Sequence, residues 1–268
     1  MSPLRPFGET GLEVPQVVFG TSCLGNLYRA LPDETKRGVL REILRCSPAP
    51  VVLDSAGKYG AGLALEVMGR ELAALDAEAD RILISNKLAW RRVPLSDAQA
   101  TFEPGVWAGL AHDAVQDVSY DGILRCWEQG LQLLGPRYRP ALVSVHDPDE
   151  YLARAAAGGG GLQARDDVFG AYRALHDLKR AGAVRLVGVG AKDWRVIRWL
   201  ADEVELDWVM LACSLTLYSH PREVLELVAT LAKRGTAVIN SAVFHSGFLT
   251  GGEYFDYRRI QRSEKTCK

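Results

Sequence analysis

The sequence predicts an α/β fold of the parallel (β/α)8 TIM barrel class. Short apolar runs rich in β-branched residues alternate with amphipathic helical stretches along the chain, which is typical of repeated βα units. Three of these runs also end in polar, ionisable side chains, as expected where the carboxyl ends of barrel strands form one mouth. With 268 residues, 48% of them hydrophobic, residues 1–268 are expected to form one domain with a sizeable core.

The chain is expected to open with an N-terminal β-hairpin. Residues 4–14 place a turn signal, Gly8-Glu9-Thr10-Gly11, between two extended segments. This hairpin would close the bottom of the barrel ahead of the first buried strand, which we predict at residues 16–21.

Six further strands alternate with six helices. The predicted strands are residues 51–53, 81–86, 141–145, 184–190, 206–212 and 236–240, and the predicted helices are residues 35–45, 63–75, 123–134, 168–180, 193–201 and 221–233. No eighth strand follows, and residues 259–268 read as the start of the helix after strand 7. We therefore expect a barrel truncated after strand 7 and incomplete at its C-terminus.

Two irregular stretches interrupt this alternation. Residues 89–119 lack a clear period, and a connection of that length is more often functional than idle, so we predict a lid over the mouth of the barrel. An ordered surface loop that buries its own tryptophans is an equally good interpretation. Gly158–Gly161 lie between helices rather than between a strand and a helix, which predicts a surface loop and not a phosphate-binding loop.

The composition bears on partners and compartment. The formal net charge of -1, from 32 Lys and Arg against 33 Asp and Glu, gives no electrostatic reason to expect nucleic acid or an anionic membrane as partner. The cysteines form no C-x-x-C pair, so we expect reduced thiols in a cytoplasmic protein, without a disulfide framework or a zinc site. No apolar run is long enough for a membrane span, and the start of the chain lacks a signal-peptide pattern.

The candidate catalytic residues lie at three successive strand ends. The run Val51-Val52-Leu53 ends at Asp54 with Tyr59 shortly beyond, the next run ends at Lys87, and the following one ends at His146. Because the carboxyl ends of barrel strands ring one mouth, we expect these side chains to meet although they are distant in sequence.

These strand ends resemble the aldo-keto reductases. LDSAGKYGAGLALEVMGREL (residues 53–72) is similar to the family's D-T/S-x-x-x-Y-G-x-G-x-x-E-x-x-G-x-x-L block, ISNKL (84–88) to its strand-three lysine segment, and VSVHDPD (143–149) to its strand-four H-D-P-D. The resemblance implies a barrel of aldo-keto reductase type and a catalytic tetrad of Asp54, Tyr59, Lys87 and His146.

The resemblance also implies a reaction. In the family, hydride passes between a nicotinamide and a carbonyl carbon while the tyrosine exchanges a proton with the carbonyl oxygen. A phenol has a pKa of about 10, so Lys87 is expected to lower the pKa of Tyr59, with Asp54 holding the lysine charged. His146 would orient the substrate oxygen. The substrate contacts are then expected to be Tyr59, His146 and Trp90.

The distal half carries a narrower likeness. GVGAKDWRVI, LDWVMLACSLTLYSHP and VINSAVFHSGFLTGG resemble the branch that contains D-threo-aldose (L-fucose) 1-dehydrogenases and pyridoxal 4-dehydrogenases. This implies NADP or NAD as cofactor and a small-molecule substrate, a sugar such as L-fucose or an aldehyde, hence a role in carbohydrate metabolism. The implied cofactor-binding residues are Gly20, Thr21, Asp54, Lys192, Asp193, Ser214, Ser241, Phe244, Ser246, Gly247 and Leu249.

Several alternatives remain open at the level of sequence. Asp54 and Lys87 could also form a buried ion pair with a purely structural role. For Gly20, a tight exit from the strand explains the residue about as well as a role in the site, and for Phe244 a packing role does the same. Asp147 and Asp149 are expected to cap the next helix rather than bind a metal.

Two other functions are consistent with the same residues. A missing last βα unit would suit a catalytically inactive relative that serves as a nucleotide-sensing or interaction subunit. Lys87 alone would suit a Schiff-base aldolase.

Overall fold

The computed structural model describes residues 4–260, and its central feature is a seven-stranded parallel sheet. The strands are β1 (Arg5–Pro6), β2 (Glu13–Val14), β3 (Phe19–Gly20), β4 (Val51–Ala56), β5 (Ile82–Leu88), β6 (Trp90–Pro94), β7 (His112–Gln116), β8 (Pro140–His146), β9 (Leu186–Ala191), β10 (Trp208–Ala212), β11 (Ala237–Ser241), β12 (Tyr254–Phe255) and β13 (Arg258–Arg259). The sheet runs β3-β4-β5-β8-β9-β10-β11 with parallel neighbours throughout. The seven predicted barrel strands are confirmed.

Helices cover the outer face of this sheet. They are α1 (Asp33–Cys46), α2 (Leu63–Ala74), α3 (Tyr120–Leu134), α4 (Pro148–Ala157), α5 (Gly161–Arg180), α6 (Trp194–Glu203) and α7 (Arg222–Lys233). Strands β4, β5 and β9 are buried along their whole length because helices cover one face and the barrel interior covers the other. This double coverage explains why their sequences are apolar runs rather than alternating patterns.

The predicted N-terminal hairpin is confirmed. Strands β1 and β2 pair antiparallel around the turn at residues 8–11. Phe7 and Val14 pack against interior side chains near the start of the strands, among them Val52, Leu83 and Trp208. The hairpin therefore closes the end of the barrel opposite the strand carboxyl ends.

Some predicted boundaries were wrong. The first strand was predicted over residues 16–21, but β3 contains only Phe19 and Gly20, and Val17 is 54% exposed. The helix predicted at residues 168–180 begins at Gly161. The prediction missed its first turns because the polar, glycine-flanked start of α5 shows no strong apolar periodicity. The preceding glycines form the turn between α4 and α5, so the predicted surface loop is shorter than expected.

Residues 89–119 are more ordered than their lack of periodicity indicated. Strands β6 and β7 pair antiparallel, and the intervening loop folds back onto them. Trp90, Phe102, Ala61 and Ala114 form a small apolar cluster beneath this hairpin. We call residues 89–119 the lid.

A second small hairpin follows β11. Strands β12 and β13 pair antiparallel on either side of Asp256 and Tyr257. We call residues 254–259 the C-terminal hairpin. The helix start predicted at residues 259–268 lies almost wholly outside the described residues. Within residues 4–260, none of the helices combines the length and apolar character needed to cross a bilayer.

The close packing of α2 against α3 should require a glycine at position 69. A Cβ at this position of α2 would lie 2.1 Å from the Leu134 carbonyl oxygen at the end of α3. We expect Gly69→Ala to lower the free energy of unfolding by about 1–3 kcal/mol, the usual cost of overpacking. Urea unfolding followed by circular dichroism measures this.

The matched control is Gly38→Ala in α1, where no atom lies within 4 Å of the added Cβ. This control should raise the free energy of unfolding by about 0.5–1 kcal/mol, because alanine favours the helix. Equal effects of the two substitutions would contradict the close contact between α2 and α3.

Candidate active site

A small cavity lies at the carboxyl ends of the parallel strands. Its volume is about 70 Å³. The side chains that line it include Tyr59, Lys87, Trp107, His146, Lys192 and Tyr257. Ligand sites in parallel α/β barrels form at this end of the strands, so the cavity is the candidate active site.

The floor of the cavity is a buried ion pair between Asp54 and Lys87. The Lys87 ammonium contacts Asp54 Oδ2 and donates to the Ser55 carbonyl oxygen (3.3 Å), and the side chain of Lys87 is 2% exposed. The Ser85 hydroxyl donates to Asp54 Oδ1 (2.9 Å). Asp54 lies opposite Ser85 in the β4-β5 register, and Lys87 lies two residues further along the same face. The strand register therefore brings the two charges together.

Gly190 leaves the space that Lys87 needs. A Cβ on this residue of β9 would lie 3.0 Å from the Lys87 Cδ, so any larger residue would crowd the lysine stem. The absence of a side chain on one strand thus admits a long side chain from another.

Tyr59 and His146 meet above this ion pair. The Lys87 Nζ lies 4.7 Å from the centre of the Tyr59 ring. The Tyr59 and His146 ring centres are 5.7 Å apart, with the planes nearly perpendicular at 83°. The structure thus brings Asp54, Tyr59, Lys87 and His146 together at one rim, as the sequence predicted.

The pKa of Tyr59 differs in direction from the expectation. Burial, and after it the negative charge of Asp54, raise the pKa of the Tyr59 phenol well above its usual range. The Lys87 ammonium is bound by Asp54 and faces the ring of Tyr59, which explains why it does not produce the expected lowering. At neutral pH Tyr59 is therefore a protonated phenol, suited to donating a proton.

His146 is held in its neutral form. Burial lowers its pKa well below the usual range for histidine, and the nearby Lys87 and Lys58 add to this. Its Nε2 lies 3.6 Å from Asp147 Oδ2, and its buried Nδ1 has no partner among the described residues. A neutral imidazole can donate one hydrogen bond and accept another, as substrate orientation requires.

Lys58 forms a second buried charge cluster that the sequence analysis missed. Its ammonium contacts Glu103 Oε1 (2.7 Å), Asp147 Oδ2 (2.8 Å) and Glu150 Oε2 (3.4 Å). Burial alone would lower the pKa of Lys58, but these carboxylates outweigh it and raise the pKa above its usual range. Its position next to Tyr59, inside an otherwise apolar turn, was the available signal.

The same cluster keeps Asp147 ionised. Burial opposes the charge, but nearby cations hold the pKa of Asp147 below its usual range. Because His146 is neutral, the stabilising cations are the ammonium groups of Lys58 and Lys192. Asp147 thus uses its side chain for Lys58 and does not cap α4, which corrects the sequence prediction.

Asp149 likewise has a different role from the one predicted. Its carboxylate accepts hydrogen bonds from the backbone N–H groups of Lys192 (3.0 Å) and Asp193 (2.8 Å). Asp193 is itself the residue that caps a helix, since its carboxylate accepts from the N–H of Arg195 at the start of α6. These contacts fix the exit of β9 beside the cavity.

The lid reaches the cavity through Trp107 rather than Trp90. Glu103 links the Lys58 ammonium to the indole N–H of Trp107, which donates to Glu103 Oε2 (2.7 Å). The Trp107 and Tyr59 rings are then 5.8 Å apart. Trp90 is 7% exposed and lies under the Lys58 ammonium, away from the cavity lining. Residues of the lid thus line the cavity, whereas Trp90, which was predicted to contact the substrate, is buried outside the cavity lining.

Tyr257 of the C-terminal hairpin enters the cavity from the other side. The Lys192 ammonium lies 5.1 Å from the centre of its ring, and its backbone N–H donates to the Ser246 hydroxyl (2.8 Å). Burial and the neighbouring Tyr59 raise the pKa of Tyr257 well above its usual range. No sequence motif pointed to this residue.

Five of the predicted cofactor-binding residues divide into two groups. Lys192 and Ser241 line the cavity, whereas Gly20, Thr21 and Ser214 serve the backbone around it. Thr21 donates twice to the Asp54 carbonyl oxygen, and Gly20 pairs with Asp54 in the sheet. Ser214 donates to the Lys192 carbonyl oxygen (2.5 Å).

The remaining predicted cofactor residues lie on the loop after β11. Phe244 is 56% exposed, and Ser246 contacts Tyr257 through its hydroxyl. Gly247 has a φ of 92°, and Leu249 lies in the short 3-10 helix that follows it. This loop forms the outer edge of the site.

The family of the protein follows from comparison with known proteins. The sequence model of the aldo/keto reductase family matches residues 16–267. The chain belongs to the aldo/keto reductase family.

Individual relatives of this aldo/keto reductase carry the names of the branch that the distal half of the sequence resembles. It is 31% identical over 275 residues to a pyridoxal 4-dehydrogenase from Microbacterium luteolum, a match that covers 96% of this chain and 76% of the relative. It is 27% identical over 264 residues to a D-threo-aldose 1-dehydrogenase from Pseudomonas sp, covering 94% of this chain and 73% of the relative. The family and these names support an oxidoreductase with a small-molecule substrate.

The fold comparison gives the same architecture. The holo form of an aldo-keto reductase from Bacillus halodurans superposes with a TM-score of 0.63 at 19% identity. The match covers 90% of this chain and 66% of that structure. The barrel-type fold predicted from the sequence is confirmed, and the chain spans about two thirds of that neighbour's length.

Lys58 should be required for stability at neutral pH and much less in acid. Lys58→Met leaves the Asp147 and Glu103 carboxylates without their cation, which should lower the free energy of unfolding by about 3–5 kcal/mol at pH 7. Because the pKa of Asp147 is depressed in the folded state, its stabilisation is present above about pH 4 and is lost as the pH falls below that value.

Urea unfolding of wild type and variant at pH 7 and pH 3 measures this, with Arg45→Met, in an exposed pair with Glu42, as the control. The difference between wild type and Lys58→Met should shrink at pH 3. A difference of the same size at both pH values would contradict the role of the Asp147 charge.

Proposed function

We propose that this chain is an NAD(P)-dependent oxidoreductase that transfers hydride between a nicotinamide and an aldose or a related carbonyl compound or alcohol. The observation that carries the proposal is the meeting of the Tyr59 phenol and the neutral His146 imidazole beside the buried Lys87–Asp54 pair. A proton donor and an orienting group at one cavity are what carbonyl reduction needs from a protein.

The residues around the cavity fit a nicotinamide. The Tyr257 ring lies in the cavity wall over the Lys192 ammonium, and together with Tyr59 it would supply aromatic faces for a flat ring. Lys192 and Ser241 would hold the nicotinamide end, and the loop with Phe244, Ser246 and Gly247 would hold the rest of the dinucleotide. When bound, the cofactor supplies the hydride for reduction or accepts it in oxidation.

Tyr59 acts as acid or base in this proposal. In reduction its hydroxyl gives a proton to the substrate oxygen while the carbonyl carbon gains the hydride, and water then returns a proton to the phenolate. Oxidation is the reverse: the phenol first loses its proton to water, and the phenolate then takes the proton of the substrate hydroxyl. His146 holds the substrate oxygen by a hydrogen bond, which positions the carbonyl carbon. Lys87 and Asp54 keep the floor of the site in place, and the positive end of this pair faces the Tyr59 ring.

A sugar is the substrate class that we propose. Trp107 provides an aromatic wall, and Lys58, Glu103 and Asp147 provide polar groups at the same cavity. Two relatives are named for D-threo-aldose 1-dehydrogenase and L-galactose dehydrogenase activity, and one for pyridoxal 4-dehydrogenase activity. L-fucose, other aldoses and pyridoxal are therefore the compounds to test first.

The cytoplasm is the location that we propose. Cys23, Cys46, Cys126 and Cys213 are all free thiols in the described part of the chain, as expected where thiols are kept reduced.

A catalytically inactive nucleotide-binding or interaction subunit is the second candidate. It is favoured by the Tyr257 ring, which lines the cavity where our proposal places the nicotinamide. Titrating NAD(H) and NADP(H) against tryptophan fluorescence, followed by turnover assays with the compounds above, separates the two. Binding without turnover supports the inactive subunit.

Tyr59→Phe should abolish most of the turnover without weakening cofactor binding. The variant keeps the aromatic ring but lacks the hydroxyl that donates the proton. We therefore expect kcat to fall by about 10²–10⁴-fold with an unchanged Kd for NAD(P)H. Steady-state kinetics and fluorescence titration measure the two quantities.

The control is Tyr120→Phe, which removes an exposed hydroxyl bound to Asp177 far from the cavity. An unchanged kcat in Tyr59→Phe would refute the assignment of the proton donor.

Tyr257→Ala should tighten cofactor binding. In our proposal the nicotinamide displaces the Tyr257 ring from the cavity, so removal of the ring should lower the Kd for NAD(P)H about tenfold, equivalent to ~1.4 kcal/mol. Tyr120→Ala serves as the control for loss of a tyrosine elsewhere. A Kd that rises in Tyr257→Ala would show that the ring supports the nicotinamide instead of competing with it.

A further inference from the structure

Three segments that are distant in sequence place potential metal ligands side by side near the rim of the barrel. Cys213 follows β10, His245 lies in the loop after β11, and Asp256 lies at the turn of the C-terminal hairpin. The thiol sulfur, an imidazole nitrogen and a carboxylate oxygen all lie within 4.8 Å of one another. None of these side chains has a role in the proposed hydride transfer.

His245 is the fixed member of this group. Its side chain is 2% exposed, with Nε2 2.7 Å from the Thr216 hydroxyl and Nδ1 2.6 Å from Asp256 Oδ1. Thr216 is held in turn by the backbone N–H groups of Tyr218 and Ser219, which donate to its hydroxyl. The Phe255 ring stacks on the imidazole with the centres 4.7 Å apart. These contacts orient Nδ1 toward Asp256.

Cys213 and Asp256 complete the group from two other directions. The Cys213 sulfur lies within 4.8 Å of the ligand atoms of His245 and Asp256, and the Cys213 backbone N–H donates to the Ser241 carbonyl oxygen at 3.2 Å. Asp256 has a side chain that is 42% exposed, so solvent and ions can reach the group from outside. One buried, one intermediate and one exposed ligand therefore surround a single point.

We propose that Cys213, His245 and Asp256 bind a divalent transition-metal ion of the zinc class. Sulfur and imidazole nitrogen are ligands that zinc accepts and that magnesium and calcium disfavour. Tetrahedral bonds of about 2.0–2.3 Å place ligand atoms roughly 3.3–3.7 Å apart. The His245 Nδ1 and Asp256 Oδ1 atoms, now 2.6 Å apart, would separate by about 0.7–0.9 Å to reach that spacing. The fourth position is left for water on the exposed side.

The hydrogen bond of His245 to Thr216 supports this assignment. Metal-bound histidines usually hold the second ring nitrogen in a hydrogen bond, which fixes the tautomer and the ring orientation. In this site Nδ1 would bind the ion and Nε2 would keep its contact with Thr216. The rival explanation is a Cys–Asp–His cluster held by hydrogen bonds alone.

A bound ion would tie the C-terminal hairpin to the ends of β10 and β11. Asp256 directly precedes Tyr257, whose ring enters the cavity. The ion would therefore hold Tyr257 in place, linking the occupancy of the metal site to access to the cavity. The site itself does not depend on the proposed oxidoreductase activity.

Cobalt(II) titration of the full chain after dialysis against a chelator tests the proposal. We expect one equivalent to bind, with a thiolate-to-cobalt charge-transfer band in the near ultraviolet and the visible bands of tetrahedral cobalt, and zinc should displace it. Cys213→Ser should remove the charge-transfer band, and Asp256→Asn should weaken binding at least tenfold. Cys46→Ser, at an exposed cysteine outside the group, should leave the spectrum unchanged.

X-ray absorption of the zinc-loaded wild-type protein gives a readout that needs no variant. One sulfur at about 2.3 Å and nitrogen or oxygen neighbours at about 2.0–2.2 Å are expected. A charge-transfer band that persists in Cys213→Ser, or a zinc shell without sulfur, would overturn the site. None of these outcomes depends on turnover, so they are independent of the proposed function.

Discussion

The buried ion pair between Asp54 and Lys87 is the interaction on which the rest of the site depends. Removing two charges from water costs several kcal/mol each, and this is recovered only when the charges are paired and hydrogen-bonded. Ser85 and the Ser55 carbonyl group supply those hydrogen bonds. Because Asp54 must face Ser85 in the sheet, a slip of one residue between β4 and β5 would turn Lys87 out of the barrel. The pair therefore links correct strand register to the place where Tyr59 and His146 meet.

A second set of charges extends this order to the covering segments. Lys58 joins Asp147 at the end of β8 to Glu103 in the lid, and Glu103 holds Trp107 beside Tyr59. The C-terminal hairpin covers the opposite side with Tyr257. Trp107 and Tyr257 thus cover the Tyr59 phenol from two sides, and the Asp54–Lys87 pair at the cavity floor is buried, which strengthens its charge interaction.

The sequence could predict the parts of this site that strands carry. The apolar runs before Asp54, Lys87 and His146 identify strands buried on both faces, and parallel packing then requires their ends to meet. The sequence could not predict that Glu103 and Tyr257 line the cavity, because their positions depend on how the lid and the C-terminal hairpin fold back over it. The placement of the lid tryptophans has the same origin, since Trp90 packs beneath Lys58 whereas Trp107 lines the cavity beside Tyr59. The predicted lowering of the Tyr59 pKa was wrong, because Lys87 is bound by Asp54 and burial raises the pKa instead.

Transfer of an isotope label tests the central claim most directly. NAD(P)H deuterated at the reactive position of the nicotinamide would be incubated with the wild-type protein and a carbonyl substrate, and the product would be analysed by mass spectrometry. The account predicts one deuterium on the former carbonyl carbon and none on its oxygen after exchange into water. A product formed without deuterium at that carbon would contradict hydride transfer at the site built on Asp54 and Lys87.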